Sequence, residues 1–459
     1  MTENKLRSLP SVDQVLNSSQ LKTETNELSR TLVTTVVREV LAESRKAHKK
    51  SKSTPTLEEI IEIVKARCRV LTMRRITRVL NGTGVLIHTN LGRSPLGREL
   101  LERVTERVRG YSTLEFDLES GKRGRRGSFL AYLLAQLTGA ESAIAVNNNA
   151  AALFLILNTF ANKREVVVSR SELVQIGGGF RIPDIIRRAG AKLVEVGTTN
   201  QTTLRDYRDA ITDKTTMILK VHRSNFHLEG FVDEVDAFKL AELAEKKKLI
   251  SVYDVGSGAY HQTEKFSMEA EPNITTALRS KSTLVCFSAD KLLGSTQGGI
   301  IIGEEKYTSE LHSNPIYRAL RLDKLTMALL EETAFAYLRK EDSTILPLWR
   351  QIRTSVAELQ ARAELIQKAL LQHGVNATIR KSQATPGGGS LPGGAIESVA
   401  IVLTPRVKPT ELTRMLLDAN PPLVGYIEKQ EFYIDLRTID PSEDAELIAV
   451  LANIASCLQ

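Results

Sequence analysis

The sequence has few cysteines and no long apolar run. Its 459 residues include only three cysteines, which lie far apart at positions 68, 286 and 457. An odd number of dispersed cysteines argues against a disulfide framework and against a zinc site. No apolar run approaches the roughly 18 residues that span a bilayer, and the first residues lack the apolar core of a signal peptide. We therefore expect a soluble, cytoplasmic protein without a membrane partner.

Two common ligand-binding motifs are also missing. The sequence contains no GxxxxGK[ST] P-loop, so a bound anion need not be a nucleoside triphosphate. Its seven histidines form no metal motif such as HExxH. A hydrophobic content of 42% and a charged content of 25% are ordinary for globular proteins. The length favours two or three domains.

Positive charge is concentrated at the N-terminal end. Residues 1–80 contain 16 Lys or Arg and 9 Asp or Glu, a net charge of +7 out of +8 for the whole chain. A basic segment on a nearly neutral body indicates a polyanionic partner that binds at one end. A solvated run of charge is the alternative explanation.

The same 80 residues have the pattern of helices. Ser11 is a candidate N-cap for "VDQVL", and residues 29–47 and 54–75 have helical apolar spacing. Between the last two lies a basic connector, "RKAHKKSKSTP" (45–55), which is suited to approach phosphates. We predict a basic helical domain and linker over residues 1–80.

Beyond residue 80 the pattern changes to short β-branched runs separated by helical segments. The runs occur at 142–146, 165–169, 192–196, 216–221, 249–255 and 283–288. Their alternation with helices predicts right-handed βαβ units and a mainly parallel sheet over residues 81–325. The run "GGIIIG" (298–303) follows the last strand too closely for a crossover, so its strand should be antiparallel. Residues 326–459 are predicted to form a small C-terminal α/β domain.

Three asparagines follow the first of these runs. In "AIAVNNNAAALFLIL" the strand ends at Val146 and a helix begins near Ala150. The backbone N–H groups and the dipole at the start of a helix form a site for a phosphate, and Asn148 and Asn149 add side-chain donors. A simple asparagine N-cap is the alternative explanation.

A carboxylate and an amine follow two later runs. Asp254 lies at the end of "SVYDV", and Lys291 comes three residues after Ser288 in "FSADKLLG". A lysine at a sheet edge condenses with an aldehyde if its surroundings lower its pKa. Taken alone, Asp254 is equally explained as a loop cap and Lys291 as a solvent-facing residue of a hairpin.

Together the three motifs fit the binding of pyridoxal 5'-phosphate. The phosphate would lie at the helix N-terminus, the Asp254 carboxylate would keep the pyridine nitrogen protonated, and Lys291 would form a Schiff base. Ser288 is a candidate phosphate ligand. His222, in "KVHRSNF", either lines the same pocket or has a structural role.

Several arginines are candidates for binding anions. Arg93 lies in "HTNLGRSPLG", and Arg318 and Arg321 lie in "NPIYRALRLDKLT". Arginines in such turn-containing segments bind oxyanions through bidentate donation, although surface ion pairs are their commoner role. The basic segment "LESGKRGRRGS" (118–128) is either a solvated loop or a second phosphate contact.

The sequence resembles the bacterial selenocysteine synthases, the L-seryl-tRNA(Sec) selenium transferase family, nearly from end to end. The motifs that carry the resemblance are "LRSLPSVDQVL", "NGTGVLIHTNLGRSPLG", "SGKRGRRG", "NNNAAA", "IGGGFRIPDI", "KVHRSNF", "DVGSG", "FSADKLLG", "NPIYRALRLDKLT", "GGGSLPGG" and "PPLVGYI". Three short segments and one residue depart from the family pattern: "SADK", "GSTQGG", "HRSN" and Tyr426. These departures leave an altered donor or substrate open.

The resemblance implies a fold-type I pyridoxal-phosphate-dependent transferase with an N-terminal tRNA-binding domain. It also implies a homo-oligomer, a decamer built from dimers. By the same resemblance, Lys291 is the Schiff-base lysine and Asp254 the partner of the pyridine nitrogen. Arg93, Arg318 and Arg321 would receive the anionic selenium donor.

The implied reaction converts L-seryl-tRNA(Sec) to selenocysteinyl-tRNA(Sec) with selenophosphate, through an aminoacrylyl intermediate on the cofactor. Two alternatives remain. One is a related pyridoxal-phosphate-dependent lyase or transferase that acts on a free amino acid or amino sugar. The other is a tRNA-binding paralogue without catalytic activity.

Overall fold

A computed structural model describes residues 9–51, 55–391 and 393–458 of the chain. Parts of three sequence segments therefore lie outside the described residues: the start of "LRSLPSVDQVL", residues 52–54 of the basic connector, and position 392 in the Gly/Pro loop "TPGGGSLPGG" (385–394). The chain divides into two compact units, Met1–Arg78 and Val79–Gln459.

The N-terminal unit is helical, as its sequence pattern predicts. Its helices are α1 Val12–Leu16, α2 Lys22–Leu28, α3 Arg30–Ser51 and α4 Leu57–Met73. Ser11 caps α1 and Thr56 caps α4, each in a capping box that satisfies backbone N–H groups at the helix start. The apolar stripe of α3 packs on that of α4 to form the core of this unit. Burial of each such Val, Leu or Ile side chain contributes roughly 1.5–3 kcal/mol.

The larger unit contains two principal sheets and several two-residue strands. Its strands are β1 Leu80–Asn81, β2 Ser142–Val146, β3 Glu165–Ser169, β4 Gln175–Ile176, β5 Phe180–Arg181, β6 Lys192–Val196, β7 Thr215–Val221, β8 Ile250–Gly256, β9 Leu284–Ser288, β10 Gly299–Gly303, β11 Ala377–Ala384, β12 Ile396–Leu403, β13 Leu423–Val424, β14 Tyr426–Glu428 and β15 Glu431–Asp435. The six strands predicted between residues 142 and 288 are all confirmed, to within one residue at each end.

Helices surround these sheets. They are α5 Arg98–Val108, α6 Ser128–Thr138, α7 Asn149–Phe160, α8 Ile182–Arg188, α9 Leu204–Ala210, α10 Ala237–Lys246, α11 Ile274–Arg279, α12 Glu305–Ser313, α13 Tyr317–Leu320, α14 Lys324–Leu338, α15 Asp342–Ile345, α16 Pro347–Arg353, α17 Val356–Gln372, α18 Pro409–Leu417 and α19 Asp444–Ala452. Within the described part of the chain, no helix combines the length and the apolar character that crossing a membrane requires.

The main sheet has seven strands in the order β2-β10-β9-β8-β7-β3-β6. The ladder from β9 to β6 is parallel throughout, and β10 is antiparallel to both of its neighbours. This confirms the predicted antiparallel strand. Side chains of β9 alternate between two cores, because Phe287 packs with α6 and α14 whereas Cys286 packs with α7. Burial on both faces explains why these strands have almost continuous apolar sequences.

The C-terminal sheet is antiparallel, in the order β11-β12-β15-β14. Leu359, Ala363, Ile366 and Leu370 form one face of α17 and pack against this sheet. Helix α14 belongs to the core of the main sheet, although it begins at the predicted domain boundary near residue 325. That boundary stays a prediction.

Strand β10 depends on a glycine at its first residue. Gly299 pairs with Val146 and Ser288, and a Cβ atom added to it would lie 2.1 Å from the carbonyl oxygen of Asn148. We expect Gly299→Ala to lower the free energy of unfolding by about 1–3 kcal/mol, since a backbone atom must move. Thermal denaturation measures the effect. Gly110→Ala is the control, because a Cβ atom there meets no described atom within 4 Å; equal stability of the two variants would contradict the prediction.

Candidate active site

A cavity of about 230 Å³ lies where the carboxyl ends of the central strands meet the start of α7. This is the edge at which open α/β sheets bind ligands. The cavity brings together most of the residues that the sequence predicts for the site. Those in its lining are Arg93, Asn148, Asn149, Ala150, His222, Asp254, Ser288 and Lys291.

Lys291 is buried in the loop that connects β9 to β10. The backbone of this loop is fixed, since Ala289 N donates to Gly298 O (2.8 Å) and Leu292 N donates to Ser257 O (2.9 Å). The side chain of Lys291 is inside the protein, with the residue 3% exposed. The structure thus excludes the explanation of Lys291 as a solvent-facing hairpin residue.

The surroundings of Lys291 favour its neutral amine. Burial lowers the pKa of Lys291, and the nearby Arg93 guanidinium lowers it further, whereas the charge of Asp254 acts in the opposite direction. The Lys291 Nζ donates a hydrogen bond to the carbonyl oxygen of Gly389 at 3.3 Å. A lysine with a lowered pKa is a nucleophile and a base near neutral pH.

Asp254 lies at the end of β8 and is also buried. Its Oδ1 accepts a hydrogen bond from Asn149 Nδ2 at 2.8 Å. Burial raises the pKa of Asp254, while the Asn149 bond and the charge of Lys291 act in the opposite direction. Asp254 is thus a buried carboxylate whose ionised form is stabilised by the hydrogen bond from Asn149. This arrangement is suited to hold a protonated nitrogen.

The asparagine turn both caps a helix and lines the cavity. Asn148 is the N-cap of α7, and its Oδ1 accepts from Ala151 N at 2.8 Å. Asn148, Asn149 and Ala150 also line the cavity. The start of the helix, with its backbone N–H groups and its dipole, therefore lies at the wall of the cavity, where an anionic group would be stabilised. Ser288, at the end of β9, adds a buried hydroxyl to the lining of this cavity.

Arg93 reaches the cavity from a turn near the start of the larger unit. It has a left-handed backbone with φ of 63°. Its Nη1 donates to Asp290 Oδ2 at 2.7 Å, in the residue next to Lys291. One ion pair thus ties the arginine to the lysine loop and places a positive charge in the cavity lining.

Arg318 and Arg321 do not line this cavity, although the backbone of Arg321 forms a β-bridge with Val146, just before the asparagine turn. Arg318 is exposed, and the Nη1 of Arg321 is 3.4 Å from Oε1 of Glu115. Glu115 also binds Arg123 (2.6 Å) and Arg126 (3.1 Å) of the basic segment 118–128. Neither Arg318 nor Arg321 is among the described residues that line the lysine cavity. Their role in receiving a donor stays a prediction.

Several residues of the cavity were not predicted from the sequence. Ser224 and Gln297 line it, and both lie inside segments that were quoted for other reasons. Gly389 was also missed. With φ of +76° and a built Cβ only 3.5 Å from Lys291 Nζ, it lets the backbone of the Gly/Pro loop approach the lysine. The glycine-rich composition of 385–394 was the available signal.

The larger unit is similar in fold to a known enzyme, and its sequence matches a known family. A solved structure of D-glucosaminate-6-phosphate ammonia-lyase has a TM-score of 0.58, with 19% identity over 83% of this chain and 96% of that chain. The seven-stranded sheet with a lysine at its edge is the fold-type I fold of pyridoxal-phosphate enzymes. The chain belongs to the L-seryl-tRNA selenium transferase family, whose profile matches residues 79–440.

The relationship extends along the whole chain. A profile described as selenocysteine synthase N terminal matches residues 6–45. The L-seryl-tRNA(Sec) selenium transferase of Sulfurimonas denitrificans is 40% identical over 453 residues, covering 98% of this chain and 99% of that protein. The protein of the same name from Clostridium perfringens strain 13 is 41% identical over 461 residues, with 98% of each chain covered. These matches confirm the family that the sequence motifs indicated.

Proposed function

We propose that this protein binds pyridoxal 5'-phosphate and converts L-seryl-tRNA(Sec) to selenocysteinyl-tRNA(Sec), with selenophosphate as the selenium donor. The observation that carries the proposal is the burial of Lys291 and Asp254 in one cavity at the start of α7. Membership of the family supplies the substrate, since relatives that match the full length are L-seryl-tRNA(Sec) selenium transferases.

The residues of the cavity fit this cofactor. Lys291 supplies a buried amine and Asp254 a buried carboxylate, while Ser288 and the first turn of α7 supply donors for a phosphate. Asn149 Oδ1 is buried and has no hydrogen-bond partner within the described structure, so the cavity has an unused polar atom for a ligand. His222 contributes an imidazole to the same wall.

When bound, pyridoxal phosphate supplies an electron sink that lets an α-proton and a β-hydroxyl leave the seryl group. Lys291 would hold the cofactor and, once the substrate amine has released its Nζ, that free amine would accept the α-proton; burial lowers the pKa of Lys291 and so favours the neutral amine. Asp254 would hold the ring nitrogen of the cofactor through its buried carboxylate. Arg93 supplies a guanidinium for the anionic donor. Burial of Lys291 and Asp254 limits the access of water to the reacting atoms.

The N-terminal unit is proposed to bind the tRNA. Its net positive charge supports this role, and so do exposed basic side chains on its helices and directly after α4. They are Lys22, Arg30, Arg38, Arg45, Lys46, Arg69, Arg74 and Arg75. Other cations are engaged internally; Arg67, for example, forms a bidentate pair with Glu43.

The cytoplasmic location and the homo-oligomer, a decamer built from dimers, are also part of the proposal. Exposed apolar side chains in one region of the larger unit support self-association, because monomers seldom expose large apolar patches. They are Tyr111, Phe116, Leu118, Phe129 and Tyr132. Analytical ultracentrifugation measures the assembled mass.

A conversion assay tests the function. The full chain with pyridoxal phosphate should convert serine-labelled seryl-tRNA(Sec) to selenocysteinyl-tRNA(Sec) when selenophosphate is added. A chain without residues 1–78 should lose this conversion while it retains the cofactor, since the cavity lies wholly in the other unit. Faster conversion of free serine or an amino sugar than of seryl-tRNA would overturn the proposed substrate and favour the related lyase or transferase.

A further inference from the structure

His222 lies between two cavities. It follows β7 and lines the cavity of Lys291. It also lines an adjoining cavity of about 130 Å³, which contains Glu271 and a second pair, His227 and Glu269. His222 therefore separates the two cavities, with the candidate active site on one side and acidic side chains on the other.

Glu271 is the acid that faces His222. Its Oε1 lies 3.2 Å from His222 Nε2, and its side chain is only 2% exposed. Both atoms are buried and, within the described structure, neither makes a hydrogen bond in the present orientation of the two groups. A buried carboxylate oxygen without a partner is costly. A small rotation of the imidazole would satisfy both atoms at once.

The backbone around Glu271 is fixed more firmly than its carboxylate. Glu271 N donates to Thr263 Oγ1 at 2.9 Å, and the same hydroxyl donates to Glu269 O at 2.6 Å. Thr263 is completely buried. The segment that carries Glu271 is therefore anchored by hydrogen bonds, as is the backbone of His222, whose N–H donates to Asp254 O at 2.9 Å.

We propose that Glu271 is a positioning residue that fixes the orientation and tautomer of His222 against the bound cofactor. The hydrogen bond makes Nε2 the protonated nitrogen, so that Nδ1 of the neutral ring is an acceptor. Such bonds are often poorly aligned before a ligand binds and tighten afterwards. The inference rests on the proposed function, because it takes the lysine cavity as the site of pyridoxal phosphate.

The neighbouring pair provides a matched control. His227 Nε2 and Glu269 Oε2 are also 3.2 Å apart, but their side chains are 48% and 54% exposed. Water competes for that pair and screens it, so it should contribute little. Glu271 and Glu269 thus each face a histidine at the same distance, and they differ in burial and in access to the active-site wall.

The test compares Glu271→Leu, Glu271→Gln and Glu269→Leu in the full-length chain. Pyridoxal-phosphate affinity and the visible circular dichroism of the bound cofactor are measured without tRNA. Glu271→Leu should weaken the affinity about 10-fold or more and change the dichroism, as expected when the partner of a buried hydrogen-bonding group is removed. Glu271→Gln retains an acceptor oxygen and should recover most of both signals. Glu269→Leu should match the unmodified protein.

A double-mutant cycle with His222→Phe decides whether Glu271 acts through His222. In that background Glu271→Leu should have no further effect on affinity. An additive effect, or a lower melting temperature with unchanged dichroism, would show a merely structural role and overturn the inference. Failure of the unmodified chain to bind pyridoxal phosphate would instead overturn the proposed function, so the two failures are distinguishable.

Discussion

Replacing Lys291 with alanine should abolish retention of the cofactor and reduce the conversion of seryl-tRNA by about 10²–10⁴-fold or more. The substitution removes both the covalent attachment and the base at the α-carbon. The chain should still fold. Burial lowers the pKa of Lys291, which means that the folded state disfavours the charged lysine and loses little when the amine is removed.

The measurement follows the cofactor and the protein separately. Visible absorbance after gel filtration reports retained cofactor, and borohydride reduction with peptide mapping identifies the attached lysine. Lys265→Ala, at an exposed position, is the matched control. If the Lys291 variant retained a reducible adduct on another lysine, the assignment of Lys291 would be wrong.

The rate of cofactor capture should also depend on pH in a defined direction. Only the neutral amine attacks the aldehyde, so the rate rises with pH and levels off above the pKa of Lys291. Because burial and Arg93 lower that pKa, the plateau should begin below the range of an ordinary lysine. Substituting Arg93 with a neutral residue removes one of the lowering charges and should move the plateau to higher pH.

The main sheet was predictable because its strands are buried on both faces. Residues 142–146, 165–169 and 192–196 were assigned with the bounds that the structure has. Strand β11, Ala377–Ala384, was not predicted. It lies at the edge of the C-terminal sheet. In its sequence, "ATIRKSQA", only the first and last residues are buried, and those between them are partly or fully exposed. An edge strand needs few apolar residues, so its sequence gives a weak signal.

A break between two helices after residue 347 was also not predicted from the sequence. Apolar residues recur at helical spacing through residues 348–374, but the structure ends one helix at Arg353 and begins the next at Val356. Ser355 caps the second helix and forms a capping box with Glu358. The Ser-x-x-Glu pattern was present in the sequence. Apolar periodicity alone does not reveal such a break, since both helices bury similar residues.

The candidate site was predictable as far as topology determines it. Asp254 and Lys291 follow adjacent parallel strands, and such carboxyl ends meet at one edge of a sheet. The contact between Lys291 and Gly389 spans 98 residues and depends on how the C-terminal part packs. The glutamate that faces His222 had no local signal either. Long-range packing decides both contacts, and a single sequence does not encode them in any short motif.

Asp254→Asn should lower the rate of conversion at least about 100-fold while the chain remains folded. Asparagine has nearly the same shape, but it lacks the negative charge that would hold the ring nitrogen protonated. Loss of one partner of a buried charge pair costs about 3–5 kcal/mol, which is a factor of 100 or more. The rate and the visible spectrum of the bound cofactor are measured on the same preparation.

Asp435→Asn is the matched control. Asp435 is equally buried, and burial also raises its pKa, but it accepts hydrogen bonds from Ser382 and Ser398 in the C-terminal sheet. Its substitution should lower the melting temperature without changing the cofactor spectrum. A normal rate in Asp254→Asn would rule out the role of Asp254 as the partner of the ring nitrogen.

The same carboxylate sets the response of the enzyme to acid. Burial raises the pKa of Asp254, so as pH falls through that raised value the carboxylate gains a proton and the activity should fall. Asn149 donates to Asp254 Oδ1 and stabilises the ionised form. Asn149→Ala should therefore raise the pKa of Asp254 further and move the acid limb of the pH–rate profile to higher pH. An acid limb that did not move, or moved to lower pH, would show that another group controls it.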